Sequence, residues 1–225
     1  MISPALIKSP LFRGLSAEKI QALLENTPHF IQHYDKGDVI FLQMDTADRI
    51  GIVLEGQVQA EKTFPNGSMV NVTARGPGNL VGPGAAFSKS QRYPCDVIAA
   101  EPAAVMIMHK EDLLALMQKD RHILQNFITE LSTATYTLQQ RIELFSYSGI
   151  CQKAAFWLLL RRRQTGKNTI PIPESVTNWA LLMNVSRPSL YRELKKMEKR
   201  GFIRYSPKQI TILDAEGLQD MLSAS

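Results

Sequence analysis

The 225-residue sequence predicts an α+β chain: an antiparallel β-roll in its first half, a long helix, then a helical and basic last third. Three observations carry this. Short stretches of alternating apolar residues, divided by glycine-rich turns, fill residues 30–108. A segment without Gly or Pro runs from Glu111 to Phe145. The positive surplus lies beyond residue 147: residues 1–147 hold 13 Lys/Arg against 15 Asp/Glu, and residues 148–225 hold 13 against 6.

The composition, 44% apolar and 21% charged, is that of ordinary globular protein. The longest unbroken apolar run, Ala154 to Leu160, is far short of the roughly 20 residues that span a bilayer, and Met1–Phe12 lacks the pattern of a signal peptide. The expectation is a cytoplasmic protein with no membrane partner. Cys95 and Cys151 stand 56 residues apart with no CxxC pair, which excludes a sequence-local zinc or iron–sulfur motif and predicts two reduced thiols.

Taken in order, Ser16 before Ala-Glu-Lys19 is the N-cap of a short helix. Ile50, Ile52 and Leu54 then alternate, followed by Val58 and Ala60, Val70, Val72 and Ala74, Val97 and Ala99, and Val105 and Ile107. A period of two puts alternate side chains on one face of a strand. Turns at Lys36-Gly-Asp38, Glu55-Gly56, Asn66-Gly67 and Gly76-Pro-Gly78 separate them, and seven of the 13 glycines lie between Gly51 and Gly84. Short strands at this turn density predict an antiparallel roll of the double-stranded β-helix type.

In the following helix, Leu124, Phe127, Leu131, Ala134, Leu138 and Phe145 fall on a heptad seam interrupted only by Arg141. So narrow a stripe suits pairing with the same helix of a second copy; the alternative is a helix lying on its own roll. Ser146-Tyr-Ser-Gly149 reads as a hinge, and Ile150–Arg163 as a further helix. Its Arg161-Arg-Arg163 suits a helix C-terminus first and phosphate contact second. Pro171-Ile-Pro173 reads as a break before two more helices. The expected domains are 1–110 for the sensing roll, 111–147 for the dimer helix and hinge, and 148–225 for a nucleic-acid-binding unit.

Val176–Gly201 has the spacing of a helix-turn-helix. Ala180 is the small residue that lets the second helix approach, Asn184 sits at the positive-φ turn, and Leu190 points between the helices, with Val185, Leu194 and Met197 completing the buried face. Pro188 stands near the start of the second helix, where its missing N–H is not needed. Ser186, Arg187, Ser189, Tyr191, Arg192 and Lys195 project outward. Arginines of this placement read guanine edges in the major groove, and the hydroxyls suit phosphate oxygens. Phe202–Tyr205 and Gln209–Ile212 form the hairpin of a wing.

With these residues the chain resembles the cyclic-AMP receptor protein / fumarate-nitrate reductase regulator (CRP/FNR) family. The likeness runs from Pro10-Leu-Phe-Arg-Gly-Leu15 through Ile52-Val-Leu-Glu-Gly56 and Ala154-Ala-Phe-Trp-Leu-Leu159 to Val185-Ser-Arg-Pro-Ser-Leu-Tyr-Arg192. It implies a homodimer with a cyclic-nucleotide-binding-like roll, a small-molecule effector, a two-fold symmetric site on double-stranded DNA, and RNA polymerase as partner. Half-sites in such dimers lie about 34 Å apart.

Departures from the pattern redirect the effector. Cyclic-AMP-binding relatives carry a Gly-Glu and an Arg-Ser pair where this chain has Gly82-Pro83 and Tyr93-Pro94, and Arg92 falls on the opposite strand face. Leu138-Gln139 replaces the hydroxyl pair that contacts adenine, and the cysteine cluster of iron–sulfur members is absent. Cyclic AMP, haem (candidate ligands His29, His33, His109 and His122) and an iron–sulfur cluster are therefore not expected. Gly82, Pro83, Phe87, Tyr93, Cys95 and Leu138 are left as candidate lining for a small apolar or aromatic effector. Pro188 also replaces the glutamate that reads a cytosine amino group in the cyclic-AMP receptor. Two rivals remain: a β-barrel enzyme with an appended interaction domain, for which no HxH or HxE spacing occurs on the strands, and a sensory module that binds protein.

Overall fold

The computed structural model describes the backbone of residues 2–63, 69–173 and 175–223, and their side chains outside residues 63–73. The Asn66-Gly67 turn and the side chains of Val70 and Val72 lie outside the described residues. The chain divides into two compact units, residues 1–134 and 135–225.

The first unit opens with helix α1 (Pro4–Lys8), a 3-10 turn (Pro10–Phe12) and α2 (Ala17–Glu25), whose first turn Ser16 caps by accepting from the Lys19 N–H. Strands β1 (Phe30–Tyr34), β2 (Val39–Phe41), β3 (Arg49–Glu55), β4 (Val58–Thr63), β5 (Met69–Arg75), β6 (Leu80–Val81), β7 (Asp96–Ala99) and β8 (Ala103–His109) follow, with the short helix α3 (Pro83–Ala86) between β6 and β7. They form two four-stranded sheets, ordered β1-β8-β3-β6 and β2-β7-β4-β5, with every pairing antiparallel.

The alternation read from the sequence sorts side chains between two cores. On β8, Ala104, Met106 and Met108 face the helices with Ile50 and Ile52, while Ala103, Val105 and Ile107 face the inside of the roll with Val53, Val58 and Val97. Burying each such aliphatic side chain contributes about 1.5–3 kcal/mol. Glycine is required at Gly56: its φ is +73°, and a Cβ there would collide with the Pro102 carbonyl oxygen.

The Gly- and Pro-free stretch is two helices, α4 (Lys110–Lys119) and α5 (Arg121–Ser146). Asp120 divides them. Its backbone is extended (φ −137°, ψ 116°), its carboxylate accepts from the His122 N–H at 2.8 Å, and it pairs with Lys19 at 3.4 Å. Burial opposes the charge, but these partners hold the Asp120 carboxyl below its ordinary pKa.

The second unit takes the end of α5, then α6 (Ile150–Thr165), β9 (Thr169–Pro171), α7 (Val176–Leu182), α8 (Arg187–Lys199), β10 (Ile203–Tyr205), β11 (Gln209–Ile212) and α9 (Ala215–Ser223). Its core gathers Leu144, Phe156, Leu158, Trp179, Leu190, Leu194, Ile203, Ile210 and Leu218 around a Trp157–Trp179 contact at 4.8 Å. Helix α6 ends on Gly166 at φ +68° with Arg162 and Arg163 in its last turn, and Arg162 donates to Asn168 at 2.7 Å. Pro171, read from the sequence as part of a break, instead closes β9, which adds to the wing in the order β10-β11-β9. An edge strand tolerates proline because one row of its N–H groups needs no partner.

Candidate nucleic-acid interface and effector cavity

Helix α8 is held by residues chosen for locking rather than reading. Asn184 has φ +52°, Ala180 is buried, and Leu190 and Leu194 are fully buried between the helices. Ser186 is the N-cap, its hydroxyl accepting from the Ser189 N–H at 3.2 Å, and Pro188 sits in the first turn. Capping leaves the positive end of the helix dipole facing outward, a favourable place for an anion.

Arg187 and Arg192 are exposed on that first half of α8. Arg187 makes no ion pair among the described residues, and Arg192 donates only to the Ser189 hydroxyl, at 3.3 Å. Tyr191 is exposed and meets Tyr205 of the wing edge-on at 5.7 Å. Lys195 is committed elsewhere: its ammonium lies 2.7 Å from Glu198 and 5.0 Å from the Tyr205 ring. Glu198 also accepts from the Tyr205 N–H at 2.8 Å, so the lysine, the glutamate and the wing form one latch. The hydrogen bond between them raises the Lys195 pKa and lowers that of Glu198. Lys196 likewise pairs with Glu193 at 2.8 Å. Sequence reasoning passed over the exposed wing cations Arg204 and Lys208, whose signal is only their position flanking Ser206-Pro207.

In the first unit, a cavity of about 230 Å³ opens among Gly82, Pro83, Tyr93 and Cys95, with Val58, Val81 and Val97 as apolar wall and Glu130, Leu131 and Ala134 of α5 along one side. Gly82, at φ +79°, starts α3 and brings Pro83 to the rim. Tyr93 is core: its ring stacks on Phe41 at 4.5 Å and its hydroxyl donates to the Arg49 carbonyl at 2.7 Å. Burial pushes its pKa up to about 12. Burial also raises the Cys95 thiol, with Asp96 adding to the effect, so it is a poor nucleophile. Arg92 is exposed and donates to the Met44 carbonyl at 2.8 Å, away from the cavity.

Two expected lining residues stand elsewhere. Phe87 packs edge-on against Phe127 at 5.2 Å, and Leu138, one helical turn beyond Ala134, is exposed. The dimer seam also needs correcting. Phe127 is 5% exposed within the roll's own core and Ala134 lines the cavity, whereas Ile128 and Ile142 are 54% and 71% exposed. The large apolar side chains exposed on α5 are Leu124, Ile128, Tyr136, Leu138, Ile142 and Phe145, and the heptad spacing of Leu124, Ile128, Leu138, Ile142 and Phe145 leaves Arg141 out.

Residues 31–120 match the family profile described as the cyclic nucleotide-binding domain, and residues 152–221 that of the Crp-like helix-turn-helix domain. The chain belongs to the CRP/FNR family. It is a transcription regulator with a DNA-binding helix-turn-helix, and not an enzyme. Among CRP/FNR relatives, the cyclic AMP receptor protein of Thermus thermophilus is 25% identical over 95% of this chain and 96% of its own. The probable transcriptional regulator flp of Lacticaseibacillus casei is 24% identical over 94% of each. The solved catabolite activator protein of Thermus thermophilus shares the CRP/FNR fold, with a TM-score of 0.56 at 24% identity over 96% of this chain and 99% of that one.

Two of the cavity residues supply nothing to a cyclic nucleotide. The Tyr93 hydroxyl is spent on a backbone carbonyl and offers no charge to a phosphate, and Pro83 offers no carboxylate to a ribose. None of the described helices is long and apolar enough to cross a membrane.

Proposed function

We propose that this chain is an effector-responsive regulator that acts as a cytoplasmic homodimer on a two-fold symmetric DNA site. Residues 1–110 sense the effector, 111–147 pair the two copies, and 148–225 bind DNA. The observation that carries the reading is the exposed Arg187–Arg192 face on a capped helix whose opposite face is locked into a core. Arg187 and Arg192 read base edges, Ser189 and Tyr191 contact the backbone, and Ser186 sets the helix end that faces a phosphate. Lys195 acts through its latch on the wing.

The seam on α5 supports pairing of two copies, and the relatives' family supports RNA polymerase as the partner on DNA. Although several relatives are named for cyclic AMP, Pro83 and Tyr93 in place of the Gly-Glu and Arg-Ser pairs favour a small, largely apolar or aromatic effector here.

The deciding experiment is footprinting on the DNA beside the protein's own gene, with duplex affinity measured across salt concentrations. A protected two-fold site and a log–log slope of about −0.9 per neutralised phosphate are expected. Absence of protection together with a flat salt response would favour a sensory module that binds protein.

A further inference from the structure

The cavity holds two charges that sequence reasoning did not single out. Arg75 lies directly opposite Val58 in the β4–β5 ladder, and Val58 is fully buried inside the roll. Residues paired across a ladder share a face, so Arg75 sits on the interior face, where it lines the cavity. Glu130 lines it from α5, on the helical face that also carries Phe127, Leu131 and Ala134. Both are half-buried, and neither forms an ion pair among the described residues, with each other or with a third group. Among the described residues, every other side chain that lines the cavity is apolar, apart from the Cys95 thiol and the Tyr93 hydroxyl, which is already bonded.

Two half-buried charges with no ion-pair partner among the described residues favour a ligand that satisfies both. The guanidinium calls for a carboxylate, which it binds in bidentate geometry. Glu130 calls for a hydrogen-bond donor and repels a second anion. The apolar wall calls for a ring or branched chain between them. A cavity of about 150 Å³ accommodates benzene, so 230 Å³ has room for one ring with two polar substituents.

We infer that the effector is a small aromatic monocarboxylate bearing a hydroxyl or amino group, with Arg75 binding its carboxylate and Glu130 its donor. This rests on the reading of the roll as an effector sensor.

The test is calorimetric titration of the full chain with the three hydroxybenzoates, the three aminobenzoates, benzoate, phenol, aniline and cyclic AMP. At least one substituted benzoate is expected to bind more than tenfold tighter than phenol or aniline, with benzoate intermediate and cyclic AMP undetected. Arg75→Leu should weaken every carboxylate at least tenfold, and Arg75→Lys should recover part of that. Glu130→Gln should remove the advantage of the substituted acids over benzoate. Thermal unfolding of each unliganded variant checks that it folds. The inference fails if no acid binds at 10 mM, if phenol or aniline equals the acids, or if Arg75→Leu leaves affinity unchanged. Footprinting on the same samples separates this from the wider reading: intact DNA protection with any of those failures overturns only the effector class.

Discussion

Tyr93 gives its hydroxyl to the Arg49 carbonyl oxygen at 2.7 Å, and so ties the rim of the cavity to the central strand of the roll. The phenol thereby does structural work. Burial lifts its pKa to about 12 from an ordinary 10. Below pH 10 the phenol is protonated in folded and unfolded chains alike, and its contribution to stability is complete. Between 10 and 12 the folded state binds the proton more tightly, so stability falls as pH rises through that window. Chemical denaturation at pH 7 and across pH 9–12 should show Tyr93→Phe costing about 1 kcal/mol at neutrality and losing less on the alkaline side. An alkaline limb identical to that of the parent protein would contradict this.

The seam on α5 predicts which substitutions separate two copies. Ile142→Glu removes an apolar group worth about 1.5–3 kcal/mol per copy when buried, and sedimentation should show association weakened by tens of fold or more with the fold retained. Arg141→Glu should leave the dimer intact. The opposite result would restore the register that includes Phe127 and Ala134.

Arg192 predicts a difference between cognate and random DNA. Arg192→Ala should cost about 1–3 kcal/mol on the protected site, measured by fluorescence anisotropy, and much less on random duplex. Equal losses would show that it touches only phosphate.

Asn184 predicts a graded series at the turn. Glycine adopts φ +52° without strain, so Asn184→Gly should change the thermal midpoint little. Asn184→Val forces a β-branched residue into the left-handed region and should cost about 1–2 kcal/mol. A midpoint unchanged by valine would mean the turn relaxes.

The strands and the helix-turn-helix were legible because their signals are local. Alternation on Ile50, Ile52 and Leu54, the turn at Gly76-Pro-Gly78 and the asparagine at 184 each announce a backbone geometry that only certain residues adopt cheaply. The break at Asp120 was hidden because a carboxylate cap leaves no Gly or Pro behind. The seam register was ambiguous in the sequence, since Phe127 and Ile128 are both apolar neighbours and only packing against Phe87 decides which one turns inward. Strand β9 escaped because its Pro171 looks like punctuation until the neighbouring strand is known. Arg75 and Glu130 escaped for a related reason. A lone charge on a strand or helix reads as solvent-facing until its cross-strand or same-face neighbours are known to be buried.

The latch of Lys195, Glu198 and the Tyr205 backbone means that the reading helix and its wing travel together. A reader built this way has little freedom to adapt one contact without disturbing the others. On the two-fold site proposed above, misfit at one half-site would be felt across the whole footprint at once, which would sharpen discrimination between operators without adding a single base contact.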